Sequence, residues 1–445
     1  MSQRKLMAVL SLAAVVALTA GESQASLSRV EGMSLAVPTL SQFTDDYVNI
    51  YYYPASVVRQ NNLVLAELGN NPSGLSDGGV FLPSSVTSTE QSFTVIRHFP
   101  RFGAIAFQMK QNALNNFNAS GNLTNEQLDA IWGKGFEKLD FAVRLDITNS
   151  SAETTTNPGA VVLKSRGFDN LAGFDPYPFG AVTANQIVGG GIELNTFGVT
   201  PAITLHMSND NRFEGAVTYR KYSLDRSSSL AGNERWQDDG SASYVVNARM
   251  FMNRGDRHVW VPAAWYVNDD LGWRVDNFGG TAAATRSAKE TYRQYGVGIS
   301  DNMRVNDNNL LLWGVSIAQA KHHFTRSDAA IVAGETQELT EKTAAIPLVF
   351  AAIETDATRW LKVRMGANRT LVSDRTETVT FGPPNATTID KTRTSAFNFN
   401  LGTGIRWNNL DIDMTLNEKF PLSGGYILSG DRSTPFTRAS ATYHY

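Results

Sequence analysis

Eight charged side chains stand between apolar neighbours in the 445-residue sequence: Asp140, Arg144, Asp146, Arg249, Lys362, Arg364, Asp411 and Asp413. Facing a water-filled interior, such charges would set ion preference; facing bulk solvent, they would be plain solvated surface. Inside a lipid-enclosed lumen they need water or one another. Catalytic chemistry is not indicated. The six histidines, His98, His206, His258, His322, His323 and His444, are scattered, and His322-His323 reads as an exposed pair rather than a metal site. No serine occupies a strand-to-helix nucleophile elbow, and Gly189-Gly190-Gly191 lacks a phosphate-loop context. Asp45-Asp46 is a conceivable cation site, but two acids in an N-terminal loop are ordinarily solvated. Asp175-Pro176-Tyr177-Pro178-Phe179 is a stiff aromatic segment, most simply an external turn. No cofactor and no metal is expected.

The elements that carry these charges are strands. In 139–148, Leu139, Phe141, Val143, Leu145 and Ile147 oppose Asp140, Arg144 and Asp146. In 240–252, Tyr244, Val246, Ala248, Met250 and Met252 oppose Ser241, Ser243, Asn247 and Arg249. Leu361, Val363, Met365 and Ala367 oppose Lys362 and Arg364, while Leu410, Ile412, Met414 and Leu416 oppose Asp411 and Asp413. A period of two gives one apolar and one polar face. That pattern alone does not distinguish a sandwich core from lipid.

Composition narrows the choice. Net charge is −3, which points to no nucleic acid partner, and there is no cysteine, which excludes a disulfide scaffold and a thiolate metal site. Arg4 and Lys5 precede an apolar run from Leu6 to Ala20 and a small-x-small site, so residues 1–25 read as a signal peptide cut after Ala25. Beyond it no window approaches 18 continuous apolar residues. A membrane-bound mature chain would therefore cross by strands.

Along the chain, residues 26–90 do not read as regular wall and form an N-terminal plug or periplasmic segment, with Asp45, Asp46, Tyr53 and Pro54 as its marked residues. Pro54 would remove a ladder donor from a central strand. Leu63–Leu68 and Val80–Leu82 are short apolar pieces with strand character. Wall strands are expected at 91–99, 103–111, 139–148 and 196–207, followed by ten more to Tyr445. Asn125–Phe136 reads as a helix, capped by Thr124 with Gln127 three residues on. From residue 207 the connections alternate. Short turns at Asn209-Asp210-Asn211, Asn253–Asp256, Asp301–Asp307, Asp356–Thr358 and Asn408-Asn409 separate long segments at 225–239, 269–290, 322–343, 373–393 and 419–435. One end of the sheet is trimmed and the other elaborated, as in barrels with short periplasmic turns and long extracellular loops. The expectation is an all-β, antiparallel, up-and-down transmembrane barrel over 91–445 with about 14 strands, or 16 if 63–69 and 78–82 join the wall.

The last strand, Thr437-x-Ala439-x-Ala441-x-Tyr443-x-Tyr445, resembles the C-terminal signature of Gram-negative outer-membrane barrels, which implies that Tyr443 and Tyr445 are read by the barrel-assembly machinery. Gly32-Met33, Asp45-Asp46 and Tyr51-Tyr52-Tyr53-Pro54-Ala55 resemble the N-terminal region of the outer-membrane fatty-acid transporter (FadL-like) family, with Tyr53 where the family pattern has Asn. That resemblance spans about residues 32–55. It implies fourteen strands, a plug in the lumen and passage of hydrophobic molecules. The functional expectation is an outer-membrane channel for passive uptake of small hydrophobic solutes, with membrane lipid and the solute as partners. The alternatives are a water-filled general porin and a surface-displayed scaffold or adhesin.

Overall fold

The computed structural model describes residues 26–35, 38–68, 91–111, 123–154, 190–207, 211–227, 235–276, 286–327, 336–380, 382, 384–416 and 436–445. The expected signal peptide, the strand at 78–82, Gly189 and the 175–179 segment lie outside these residues.

The chain forms one antiparallel sheet that closes on itself. Its strands are β1 (Leu63–Leu68), β2 (Gln91–Phe99), β3 (Gly103–Gln111), β4 (Leu123–Gly135), β5 (Leu139–Thr154), β6 (Gly190–His206), β7 (Arg212–Ser227), β8 (Arg235–Asp238) and β9 (Ala242–Arg254). They continue as β10 (His258–Asp276), β11 (Arg286–Asn306), β12 (Asn309–Ser327), β13 (Thr336–Asp356), β14 (Leu361–Thr380), β15 (Ala386–Trp407), β16 (Leu410–Leu416) and β17 (Phe436–His444). The segments β8 and β9 share the neighbours β7 and β10, so they are two lengths of one wall strand. Between them Gly240 takes φ +84°, and the Asp238 carboxylate accepts hydrogen bonds from the Gly240 and Ser241 amides. The wall therefore has sixteen strands, closed where β1 pairs with β17.

Two corrections account for sixteen rather than fourteen. Leu63–Leu68 pairs with β2 and β17, so the wall begins ahead of residue 91 and takes in part of the expected N-terminal segment. Residues 123–135 form a strand and not a helix. The capping pattern at Thr124 and Gln127 is local, whereas β4 is hydrogen-bonded along both edges to β3 and β5. Ladders of 13 residues with β5 and eight with β3 outweigh a capping preference of about 1 kcal/mol. Within β4, Gln127, Asp129, Ile131 and Gly133 are buried, while Leu128 and Ala130 are exposed.

The expected long connections are also shorter than their sequence pattern suggests. Strand β10 runs to Asp276, β12 to Ser327 and β14 to Thr380, and β15 starts at Ala386. Beyond the apolar band the outward positions turn polar, so hydropathy alternation fades while backbone pairing continues.

The outer face is hydrocarbon around the circumference, including Phe107, Ile147, Phe197, Val217, Val246, Val297, Ile317, Met365 and Phe399. Exposed apolar surface of that extent is not compatible with water and matches the apolar band of a transmembrane barrel. No helix among the described residues is long and apolar enough to cross a membrane. The closed sheet and its apolar outer band make the chain a transmembrane β-barrel. Its short turns, such as Gly255 at φ +73° between β9 and β10, lie at the end that also holds Leu63 and Tyr445, which is the periplasmic end.

Candidate functional site: the inner wall and the segment it encloses

Residues 26–35 and 38–60 lie against the inner wall. The helix Leu27–Gly32 starts at Ser26, whose hydroxyl accepts from the Arg29 amide at 3.2 Å and donates to Asp413 at 2.9 Å. The helix lies almost on the wall backbone. A Cβ on Gly402 would stand 2.8 Å from the Gly32 Cα, and one on Gly366 would collide with the Met33 carbonyl. Wall side chains hydrogen-bond its carbonyls: Thr415 to Ser28, Asn400 to Glu31 and Asn368 to Ser34, at 3.0, 3.0 and 2.8 Å.

Arg29 carries the electrostatic load on this side. Its guanidinium donates to both Glu354 oxygens at 2.6 and 2.9 Å and also to Asp46. Arg364 donates to Glu354, and to Asp413 at 2.6 Å. Burial alone would lower the Arg29 pKa, but Asp46 and Glu354 raise it above its ordinary value. Burial raises the Asp46 carboxyl, against the pull of Arg29. On the neighbouring strand, Arg438 donates to Glu31 at 2.6 Å.

The chain then crosses the lumen. Arg249, 1% exposed, donates to the Gln42 and Thr44 carbonyls at 2.7 Å each and to Glu214 at 2.6 Å. The same guanidinium lies 4.2 Å from the centre of the Tyr53 ring, a cation–π contact. Burial raises the Tyr53 phenol well above its ordinary range. Glu214 also receives Arg59, and the exposed Asp45 pairs with Arg212. Pro54 opens a buried 3-10 turn, Pro54–Arg59. Further round, Arg144 donates to the Tyr51 carbonyl at 2.6 Å and to Asp129 at 2.8 Å, and Arg220 donates to Asp146 at 2.9 Å.

Of the eight charged positions marked in the sequence, seven are buried on the inner face and engaged with one another, with missed partners or with the enclosed segment. Asp140 bonds His206 at 2.8 Å, and Asp411 bonds Arg406 at 2.9 Å. Lys362 is the exception: half-buried at the periplasmic mouth, it pairs with Asp356 at 2.6 Å. Tyr443 points outward, whereas the Tyr445 amide reaches the Asn62 carbonyl at 3.3 Å. Sequence reading missed Arg29, Arg59, Asp129, Glu214, Arg220 and Glu354. Asp129 was hidden by the helical reading. Arg29 and Arg59 lie where no periodicity marks them. Glu214 and Glu354 could have been found by extending the alternation of their strands.

The histidines do not combine. His322 faces inward, buried, and bonds Glu341 at 3.0 Å, while His323 bonds Thr340 on the opposite face. The pair is thus neither wholly exposed nor able to chelate, because adjacent strand residues point to opposite sides. Among the described residues no group of three or more metal-ligating side chains occurs.

One sector of the inner wall differs from the rest. On β10 to β13 the inward side chains include Val261, Trp265 and Val267, then Leu312, then Leu348, Phe350 and Ala352, all buried. Phe43 from the enclosed segment stacks on Phe350, with ring centres 5.3 Å apart. Wall glycines make room for these rings: Trp265 lies over Gly296, Phe43 over Gly298 and Phe350 over Gly314.

No protein-family model matches the chain, and no curated protein matches it. Among solved structures, a Pseudomonas aeruginosa FadL homologue is similar at TM-score 0.44 and 10% identity, covering 94% of this chain and 98% of that one. The Escherichia coli ferric-catecholate import receptor Fiu, open form, gives 0.37 and 9%, covering 87% and 82%. The alcaligin outer-membrane receptor FauA from Bordetella pertussis gives 0.39 and 8%, covering 87% and 76%. Likeness at this level adds no argument about function, and the reading below rests on this chain's own residues.

Proposed function

We propose that this protein is an outer-membrane channel for passive uptake of small hydrophobic solutes, with residues 26–62 as a plug and residues 1–25 removed as a signal peptide. The observation that carries the reading is the fate of the inward charges. A water-filled porin presents such groups to solvent. Here Arg249, Glu214, Asp146, Arg364 and Asp413 are each at most 3% exposed and are engaged by ion pairs and by the enclosed segment. What remains for a solute is the aromatic and aliphatic sector of β10–β13, reached past Phe43. No enzymatic role is proposed.

Reconstitution in planar bilayers and liposomes tests this, using the full mature chain and a chain lacking residues 26–62. The expected result is little ion conductance with the segment present, uptake of an apolar fluorescent probe, and larger conductance without the segment. Steady ohmic conductance and sugar permeation by the full chain would establish the porin reading instead. Silence in every form would leave a display scaffold.

A further inference from the structure

The outer face carries a charged row that the transport reading does not use. Arg293 on β11 is directly opposite Lys321 on β12, Lys321 is opposite Lys342 on β13, Lys342 is opposite Arg375 on β14, and Arg375 is opposite Lys391 on β15. Directly paired residues in an antiparallel sheet share a face, and all five are exposed. The alternation places them outward: Tyr295, Val297 and Ile317 point out on the same strands, while Gln294, Ala320 and Thr370 are buried inside. With neighbouring strands about 4.8 Å apart, the five cations span roughly 19 Å along the barrel's circumference.

Like charges directly opposite one another destabilise a sheet, so this row calls for a counter-charge. The protein provides little. Arg375 pairs with Glu377 at 3.3 Å and Arg293 bonds the Asn268 amide oxygen at 3.0 Å, but Lys321, Lys342 and Lys391 make no ion pair among the described residues. On these five strands the outward residues two positions to either side contain one acid, Glu377, and add a further cation, Arg393.

Height identifies the counter-charge. Towards the periplasm, past Gln319 on β12, Ser373 on β14 and Arg393 on β15, the outward positions become Tyr295, Val297 and Ile299 on β11, Ile317 and Val315 on β12, Leu371 on β14 and Phe397 on β15, the apolar band. The row therefore lies at the outer-leaflet boundary, where lipid headgroups meet water. We propose that Arg293, Lys321, Lys342, Arg375 and Lys391 form a docking surface for the phosphate groups of an anionic glycolipid of the outer leaflet. Acyl chains then lie on Val297, Ile317 and Ile299, and the phosphates bridge neighbouring cations by charge-assisted hydrogen bonds.

The test uses the full-length protein in neutral detergent, with purified lipopolysaccharide as the probe and the same material dephosphorylated as the control. Phosphorylated lipopolysaccharide should bind at least ten-fold more tightly than the dephosphorylated form, and the advantage should shrink with added salt. The variant K321Q/K342Q/R375Q should lose it, whereas K321R/K342R should keep it and guards against misfolding as the cause. Heat-modifiable mobility on a denaturing gel establishes that each variant is folded. Equal binding of the two lipopolysaccharide forms would overturn the proposal, as would an unaffected triple variant. Stronger binding of heparin than of lipopolysaccharide would also overturn it, in favour of a soluble polyanion.

Discussion

The inner wall has two sectors that solve burial in opposite ways. On β4 to β9 the enclosed space is filled by charges that satisfy one another: Asp129 with Arg144, Asp146 with Arg220, and Glu214 with Arg249 and Arg59. On β10 to β13, apart from polar positions such as Asp269, Gln294 and Glu354, it is filled by rings and methyl groups laid against glycines. The first sector is specific in geometry, since each guanidinium has a defined partner and an unpaired buried charge is costly. The second is tolerant, because apolar contacts are non-directional and an apolar guest can replace an apolar side chain at little cost. The enclosed segment touches both: Arg249 holds its backbone at Gln42 and Thr44, while Phe43 between them inserts into the apolar sector. In the proposed channel, the charged sector would position the segment and the apolar sector would be the side along which it opens.

The largest expected effect is in the charged sector. Arg249→Met leaves Glu214 short of a partner and two segment carbonyls bare, and should cost about 3–5 kcal/mol. The temperature at which the unboiled form converts to the boiled form should fall accordingly, and conductance should rise as the segment loosens. An unchanged transition would remove the charged sector as the positioning element.

Next comes Phe350→Ala, which removes the ring beneath Phe43 and should cost about 3 kcal/mol through lost burial and a cavity. Its signature should be selective: slower uptake of an apolar probe with ion conductance unchanged. If both change together, the two sectors are not functionally separate.

Gly402→Val sharpens the comparison from the segment's other anchor. A side chain there meets the Gly32 Cα, an overpacking cost of about 2 kcal/mol. We expect the wall to fold with the segment displaced, read as normal heat-modifiability with increased conductance and faster proteolysis near residue 32. The smallest effect should come from Lys289→Gln, which breaks an exposed pair with Asp270 at 3.2 Å on the outer surface. That change should lie within about 0.5 kcal/mol and leave probe uptake as it was.

The transmembrane wall was readable because lipid on one side and polar contacts on the other impose a strict period of two, as in 139–148 and 410–416. Where only one face is distinctive the signal weakens. Strand β4 has outward residues Leu128, Ala130 and Trp132 but begins Leu-Thr-Asn-Glu-Gln, and its local capping pattern competed with pairing that only the folded sheet supplies. The strand extensions at 269–276, 322–327 and 373–380 were read as loops because outside the apolar band the outward positions turn polar, as at Asp270, His323 and Ser373, and the alternation is lost. At the site, the wall charges of the most regularly alternating strands were found, whereas Glu214, Arg220 and Glu354 on other strands, and Arg29 and Arg59 in the enclosed segment, were not. The role of the last two comes from a crossing of the lumen that brings Arg29 to Glu354, far away along the chain. Ion pairs between segments so distant in sequence leave no local trace.

Asn62 sits where the enclosed segment becomes wall. Its side-chain oxygen accepts the His98 amide at 2.7 Å, and its carbonyl accepts the Tyr445 amide. This one residue joins the second strand to the final residue of the chain. The seam that completes the cylinder is thus the pairing with the greatest sequence separation, and loop-closure entropy makes such a pairing the slowest to form. Pairing of β1 with β17 encloses the segment within the wall. Strand β17 is the clasp that holds the wall around its contents.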